Sequence, residues 1–188
     1  MSLLVFCEWL ANTRGSIALH ESLYMYPLVE SVHVLTLCLF VGTAVILDLR
    51  LLGFTLRRVP VSEVFDQLLP WTTAGFAVMI VTGSLLFYAI PVRTYQSIFF
   101  RIKVVMLLLA GANVWLFYRK VQRTMSEWDL APVTPRGARL AATVSLVLWA
   151  GIVVAGRMIA YNWFDCDRQP QSAIVNWAAS CEVEDSTE

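Results

Sequence analysis

The sequence predicts an all-α integral membrane protein, with four transmembrane helices in a bundle and an N-terminal interfacial helical segment. Three observations support this class. The 188 residues are 58% hydrophobic and only 15% charged, and the mean hydropathy is +0.65. An ordinary soluble domain is much more polar. Four long windows carry no charged residue, and most basic residues fall in two of the loops that separate them.

The four windows each extend at their ends to about 20 residues, the length that a helix needs to cross a hydrocarbon core of roughly 30 Å. They are residues 31–47, 67–92, 104–118 and 140–156. The sequence has no short apolar core followed by a small-residue cleavage site, as a secretory signal would, so we expect the mature protein to keep Met1.

The chain is expected to have three parts. Residues 1–24 mix apolar and polar positions over runs too short to span, and Pro27 separates them from the first span, so we expect an interfacial helix or helix pair. Residues 25–164 form the four-helix transmembrane domain. Residues 165–188 form a polar outer tail that ends acidic and contains a short apolar patch at 173–179.

The distribution of basic residues predicts the orientation. Eight of the fourteen Lys and Arg residues lie in the first and third loops, namely Arg50, Arg57, Arg58, Arg119, Lys120, Arg123, Arg136 and Arg139. The opposite side has only Arg14, Arg93 and Arg168. Because basic loops stay in the cytoplasm, we expect a multi-pass protein of the bacterial inner membrane with both termini periplasmic. Aromatic residues near span ends agree with these spans, among them Tyr26, Trp71, Tyr118 and Trp163.

The cysteines bear on the same assignment. Cys166 and Cys181 lie in the tail that is placed outside, where an oxidising periplasm would let them pair. Two free thiols are the alternative, and Cys7 on the same side could compete for a partner. Cys38 lies in the middle of a span and is expected to be a small packing residue.

Ionisable residues inside a span are costly and therefore mark candidate functional sites. With a rise of about 1.5 Å per residue, five of them reach one outer level: Glu30, His33, Arg101, Lys103 and Arg157. Glu30 shares a helix face with His33 and could pair with Arg157 or Lys103. One interpretation is a salt-bridge network that orders the helices, with Arg101 and Lys103 snorkelling. The other is an outer polar pocket for a quinone head group or haem propionates.

Histidine number limits the metal chemistry, because the chain has only His20 and His33. Two b haems with paired His ligands are therefore excluded. One haem b remains possible with His33 as ligand, if His20 folds back toward it or a methionine or partner subunit completes the site. The candidate methionines are Met25, Met106 and Met158. A copper site of His33 and Met, or a His33 that is simply hydrogen-bonded to Glu30, are the alternatives.

A second polar set lies at the inner level. Its members are Asp48, Arg50, Thr72, Thr73 and Asn113. We expect Asp48 and Arg50 to end the first helix and anchor it at the inner interface. We expect Asn113 to make one hydrogen bond between helices, as polar residues in such bundles do.

Several runs within residues 20–162 carry a family resemblance. They contain the pair Glu30 and His33, the Asp-Leu-Arg-Leu-Leu-Gly run at 48–53, Asn113, and Gly156 with Arg157. Together they resemble an uncharacterised family of bacterial four-span inner-membrane proteins, a domain of unknown function of the DUF6644 type. Members often end the third span in Asn-x-x-x-Phe-His, whereas Tyr118 follows Phe117 here. The architecture is also similar to CopD-type copper-resistance proteins and to cytochrome b561-like bundles.

Three functional hypotheses follow. The first is a redox-associated subunit that holds a haem or quinone at the outer level, with His33 as ligand or hydrogen-bond partner and with Lys103 and Arg157 binding anionic groups. The second is an accessory subunit of a larger membrane complex, without a cofactor. The third is a small oligomeric transporter. The sequence shows no catalytic motif and no basic tract with interleaved aromatics, so no enzyme class is assigned and no nucleic acid is expected.

Overall fold

The computed structural model describes residues 3–120, 125–131, 134–161, 166 and 169–181. Arg123, Trp163, Arg168 and the expected start of the tail at residue 165 lie outside these ranges. The described residues form nine helices and no strand. In chain order these are α1 (Leu3–Ala11), α2 (Arg14–Glu21), α3 (Met25–Leu52), α4 (Val61–Ala89), α5 (Pro91–Gln96), α6 (Ile98–Lys120), α7 (Met125–Trp128), α8 (Arg136–Tyr161) and α9 (Ala173–Ala179).

Four helices, α3, α4, α6 and α8, are long and apolar enough to cross a membrane. The all-helical multi-pass class is therefore confirmed. The second span differs from its predicted window, because α4 begins at Val61 and continues through Pro70. It ends at Ala89, since the residue before a proline is disfavoured in the α conformation and Ile90 precedes Pro91. The window that reached residue 92 therefore contains the start of a separate short helix, α5.

The bundle is organised around the contact between α3 and α8. Helix α3 packs against α4 and α8, and α6 packs against α8. Aromatic pairs join α4 to α6 near both ends: the ring centroids are 5.8 Å apart for Phe65–Phe117 and 5.6 Å for Phe87–Phe100. Many apolar side chains on the long helices stay exposed, as expected for surfaces that face lipid.

The inner end of α3 is held by Arg50. Gly53 adopts a left-handed conformation and its backbone N–H bonds back into the helix, which ends α3. Arg50 is 3% exposed, and its Nε and Nη2 donate to the carbonyl oxygen of Val59 at 3.0 and 2.6 Å. Arg50 thus lies in the last turn of α3, and its anchoring at the inner membrane interface stays a prediction. The predicted interfacial anchoring is wrong for Asp48, which is buried inside the bundle and faces Ser145 on α8.

The segment after α7 docks on the start of α4 through Asp129. One carboxylate oxygen accepts the backbone N–H of Ser62 at 2.7 Å, and the other accepts its hydroxyl at 2.5 Å. Burial alone would raise the pKa of Asp129, but the hydrogen bonds from Ser62 and Val61 and the charge of Arg50 lower the pKa below its ordinary value. The carboxylate also lies at a helix N-terminus, where negative charge is favoured.

Asp129→Ala is therefore expected to reduce the free energy of unfolding by about 1–2 kcal/mol at pH 7, as loss of a helix cap does. Because the pKa is lowered on folding, this contribution is present above the ordinary Asp range near 4 and is lost as the pH falls through the lowered pKa. The measurement is detergent unfolding of both proteins across this acid range, with the exposed Asp66→Ala as control. A difference that does not change with pH would contradict this role.

The N-terminal segment is helical, as predicted, and docks where α4 meets α5. The buried Ser16 hydroxyl donates to the carbonyl oxygen of Tyr88 at 2.7 Å, and Thr13 bonds the Tyr88 hydroxyl at 2.9 Å. Apolar residues Leu3, Phe6 and Trp9 remain exposed on α1. That this segment lies in the membrane interface stays a prediction.

A disulfide joins Cys166 to Cys181 around α9. Arg101 at the start of α6 binds the C-terminal end of this helix: its guanidinium donates to the carbonyl oxygens of Ala178 and Ala179 and to the Ser180 hydroxyl. A cation at a helix C-terminus is favourable. Arg101 thus anchors the tail. Cys7 and Cys38 are free thiols, and Cys38 is exposed on α3 where a packing role had been expected.

Candidate functional site

The outer polar level contains one interior cluster, which we call the His33–Lys103 site and define by His33, Thr82, Gly83, Lys103 and Gly156. These residues come from all four long helices. At about 1.5 Å per residue, they lie roughly 8–12 Å from the outer ends of their helices. The site is therefore within the outer half of the predicted span and not at its surface.

His33 is fixed by Thr82 of the neighbouring helix. The ring Nδ1 is 2.8 Å from the Thr82 hydroxyl oxygen. The same hydroxyl donates to the carbonyl oxygen of Val78 at 2.8 Å, so its single proton is used. In the arrangement that keeps this bond to Val78, Nδ1 is the donor, and a neutral ring then has a free lone pair on Nε2. The imidazole is thus held as a hydrogen-bond acceptor or metal ligand.

Lys103 lies on the neighbouring part of α6, within electrostatic range of this ring. Its side chain is half-buried. The ammonium packs on Gly156, where a Cβ would stand 3.5 Å from Nζ. No hydrogen-bond acceptor and no carboxylate partner of Nζ is found in the described part of the chain. A cation at this depth favours an anionic or carbonyl oxygen.

Two glycines line the site. A Cβ on Gly83 would lie in ordinary van der Waals contact with the ring, 3.4 Å from His33 Cε1, so the imidazole packs directly over this glycine. Sequence reasoning missed Thr82 and Gly83. The adjacent Thr-Gly pair lies within the charge-free window of the second span, at the depth of His33. A hydroxyl and a glycine at that depth are the sequence features that could have indicated their place in the site.

The other predicted outer residues do not join this cluster. Glu30 is exposed and lies near Tyr26, and among the described residues no ion pair connects it to Lys103 or Arg157. Arg157 is exposed and donates to the Tyr161 hydroxyl at 2.9 Å. His20 is exposed and packs edge-on against Tyr26, with ring centroids 6.3 Å apart, instead of approaching His33.

Two of the three methionine candidates, Met106 and Met25, have other surroundings than His33. Met106 packs against Gly151 of α8, where a Cβ would be 2.8 Å from its sulfur. Met25 is 53% exposed at the start of α3. Within the described residues, no three side chains from His, Cys, Asp and Glu gather to hold a metal ion.

The inner polar residues connect helices. Asn113 of α6 donates to the Ala141 carbonyl oxygen of α8 at 2.9 Å, which confirms the predicted hydrogen bond between helices. Thr72 of α4 donates to the Thr43 hydroxyl of α3 at 2.8 Å. Thr73 bonds only within its own helix in the described contacts.

Fold and site define a four-span helical membrane protein with a small polar site inside the half of the bundle that is predicted to be outer. The chain belongs to the family of unknown function DUF6644, which matches residues 6–162. No curated protein and no solved structure matches it. The likeness to CopD-type proteins and to cytochrome b561-like bundles therefore has no support in these comparisons.

Proposed function

We propose that this chain is an inner-membrane subunit that binds a quinone-type head group at the His33–Lys103 site. One observation carries the proposal: a fixed imidazole and an ammonium group lie within electrostatic range of each other inside the span. A quinol hydroxyl donates to His33 Nε2, and an oxygen of the same head group accepts from Lys103. The oxidised quinone has only acceptors, so the site favours the reduced form.

Electron transfer needs a further component. Neither His33 nor Lys103 carries electrons, so oxidation of the bound quinol needs an electron acceptor from a larger membrane complex or from another cofactor. We therefore propose a redox-associated subunit and not a self-contained enzyme. An accessory subunit without a cofactor and an oligomeric transporter would both leave this site without a quinol, and the experiment below separates them from the proposal.

The proposed location is the bacterial inner membrane with both termini periplasmic. The basic first and third loops support it, and so does the Cys166–Cys181 disulfide, since disulfides persist in oxidising compartments. In a Cys7→Ser, Cys38→Ser background, a membrane-impermeant maleimide is expected to label the reduced tail cysteines in intact spheroplasts. Labelling that appears only after lysis would contradict this orientation.

The binding role is tested by titrating the protein in nanodiscs with a short-chain quinol. Lys103→Met is expected to weaken binding about tenfold or more, because a hydrogen bond to a charged group contributes roughly 1.5–3 kcal/mol. His33→Ala is expected to weaken binding of the quinol more than binding of the quinone. The exposed Arg157→Met is the matched control and should bind as the wild type does. Equal affinity in all variants would exclude this site.

The same preparation separates quinol from haem, because the lone pair on His33 Nε2 also suits iron. The proposal predicts no Soret band that depends on His33. A band that sharpens on dithionite reduction and vanishes in His33→Ala would replace the quinol proposal with a b-type haem. A colourless protein that binds no quinol would favour the accessory role.

A further inference from the structure

Asp48 is a carboxyl group buried within the inner half of the first span. It lies four residues before the end of α3, or about 6 Å along the helix. Its side chain is 7% exposed, and its Oδ2 has no hydrogen-bond partner among the described residues. A buried polar atom without a partner is costly, and an ionised carboxylate in such a place is far more so.

The immediate surroundings of Asp48 are small and apolar, with one hydroxyl. Ala44 and Leu51 lie on the same face of α3 and are buried. Across the interface, the hydroxyl of Ser145 on α8 lies near the carboxyl, and Ser145 is itself 9% exposed. Asp48 thus has a neutral hydroxyl as its neighbour, and its Oδ2 has no hydrogen-bond partner among the described residues.

No described cation neutralises this carboxyl. Arg50 is two residues away but donates to Val59 on another side of the helix. The remaining charged groups at the inner ends of α3, α4 and α8 and in the loop after α3 are exposed, namely Arg57, Arg58, Glu63, Asp66, Arg136 and Arg139. Asp48 is therefore desolvated by burial, and its polar neighbour is the Ser145 hydroxyl. No described group of opposite charge lies beside it.

We propose that Asp48 is a proton-binding site, and that it holds a neutral carboxylic acid in the resting protein. Protonation removes the uncompensated charge and turns the second oxygen into a hydroxyl. On release, the O–H bond breaks and the proton passes to water at the inner surface, leaving the carboxylate. The ionised form then needs water or a cation, so release requires the contact between α3 and α8 to open.

A metal cation fits this position less well than a proton. Asp48 and Ser145 supply two side-chain oxygen groups, whereas Ca²⁺ takes six to eight oxygen ligands. No group of three acidic, His or Cys residues surrounds them in the part of the chain that the structure describes. The proton site is also separate from the quinol site, because Asp48 lies at the inner level and His33 at the outer.

Infrared spectroscopy of the full chain in lipid at pH 7 tests the proposal. The wild type is expected to show the C=O stretch of a protonated carboxylic acid, and Asp48→Asn should lose it while keeping its helical content. Glu63→Gln, which removes an exposed carboxylate, and His33→Ala should retain the band. A wild type without such a band, or an Asp48→Asn protein that keeps it, would overturn the proposal.

A second measurement covers the case in which Asp48→Asn does not fold. Wild-type protein with carbon-13 in the aspartate side-chain carboxyls should show the protonated-acid band at a lower wavenumber, and Ser145→Ala should raise the wavenumber of that band because it removes the neighbouring hydroxyl. A band whose wavenumber is unchanged by the label, or is the same in Ser145→Ala as in the wild type, would show that Asp48 is not the proton site.

Discussion

Gly75→Leu is expected to separate α3 from α4 and to cause the largest loss of stability among single substitutions in the bundle. A Cβ at Gly75 would lie 3.2 Å from Cβ and 3.4 Å from Cα of Phe40, so the backbones themselves are in close contact. Phe40 cannot move aside freely, because it is 5% exposed and packs edge-on against Trp149 at 4.6 Å. Inserting a large side chain into a packed core costs about 1–3 kcal/mol or more.

The matched control is Gly42→Leu on the neighbouring helix. Gly42 is exposed, and a Cβ there would meet nothing within 4 Å. We expect Gly75→Leu to lower the unfolding temperature and to loosen the tertiary packing of Trp149, as near-ultraviolet circular dichroism would report. Gly42→Leu should do neither. Equal behaviour of the two variants would show that α3 and α4 are not in close contact at Gly75.

Arg50→Ala is expected to have the second largest effect, through loss of the connection between α3 and α4. It removes a buried guanidinium that donates twice to Val59 and leaves that carbonyl oxygen without its donor. It also removes the positive charge near Asp129. Hydrogen bonds to charged groups contribute about 1.5–3 kcal/mol, and the free energy of unfolding should fall by an amount in this range.

Arg50→Lys tests the geometry separately from the charge. Lysine keeps the charge but cannot donate from two positions of a planar group, so we expect an intermediate loss. Arg58→Ala removes an exposed arginine from the same loop region and serves as control. Unfolding by added SDS measures all three variants. If Arg50→Ala and Arg58→Ala lost the same small amount, the bond to Val59 would contribute nothing measurable.

The sequence was sufficient for the spans because hydrocarbon tolerates few charges. The same argument could not predict where α4 ends, because Pro91, and not a change in polarity along the chain, ends that helix. Nor could it place Asp48 inside the bundle. An Asp-x-Arg sequence near a span end indicates an interfacial anchor, and only the packing of α3 on α8 separates the roles of the two side chains.

The depth of the candidate site along the helices could be predicted from the sequence, but which side chains point into the bundle could not. A fixed rise per residue places Glu30, His33, Lys103 and Arg157 at one level. Which of them point inward depends on how each helix is rotated about its axis, and the structure turns Glu30 and Arg157 outward. Thr82 had no charge or ligand chemistry to draw attention, although its hydrogen bond determines the tautomer of His33.

Nitrogen-15 NMR of labelled histidine tests the central claim most directly. The chain has two histidines, so in the His20→Gln variant all histidine signals come from His33. We expect a neutral imidazole with hydrogen on Nδ1, whose Nε2 resonance shifts when a short-chain quinol is added and shifts less with the quinone. A His33 with hydrogen on Nε2, or an Nε2 resonance unchanged by saturating quinol, would contradict a head-group site at His33 and Lys103.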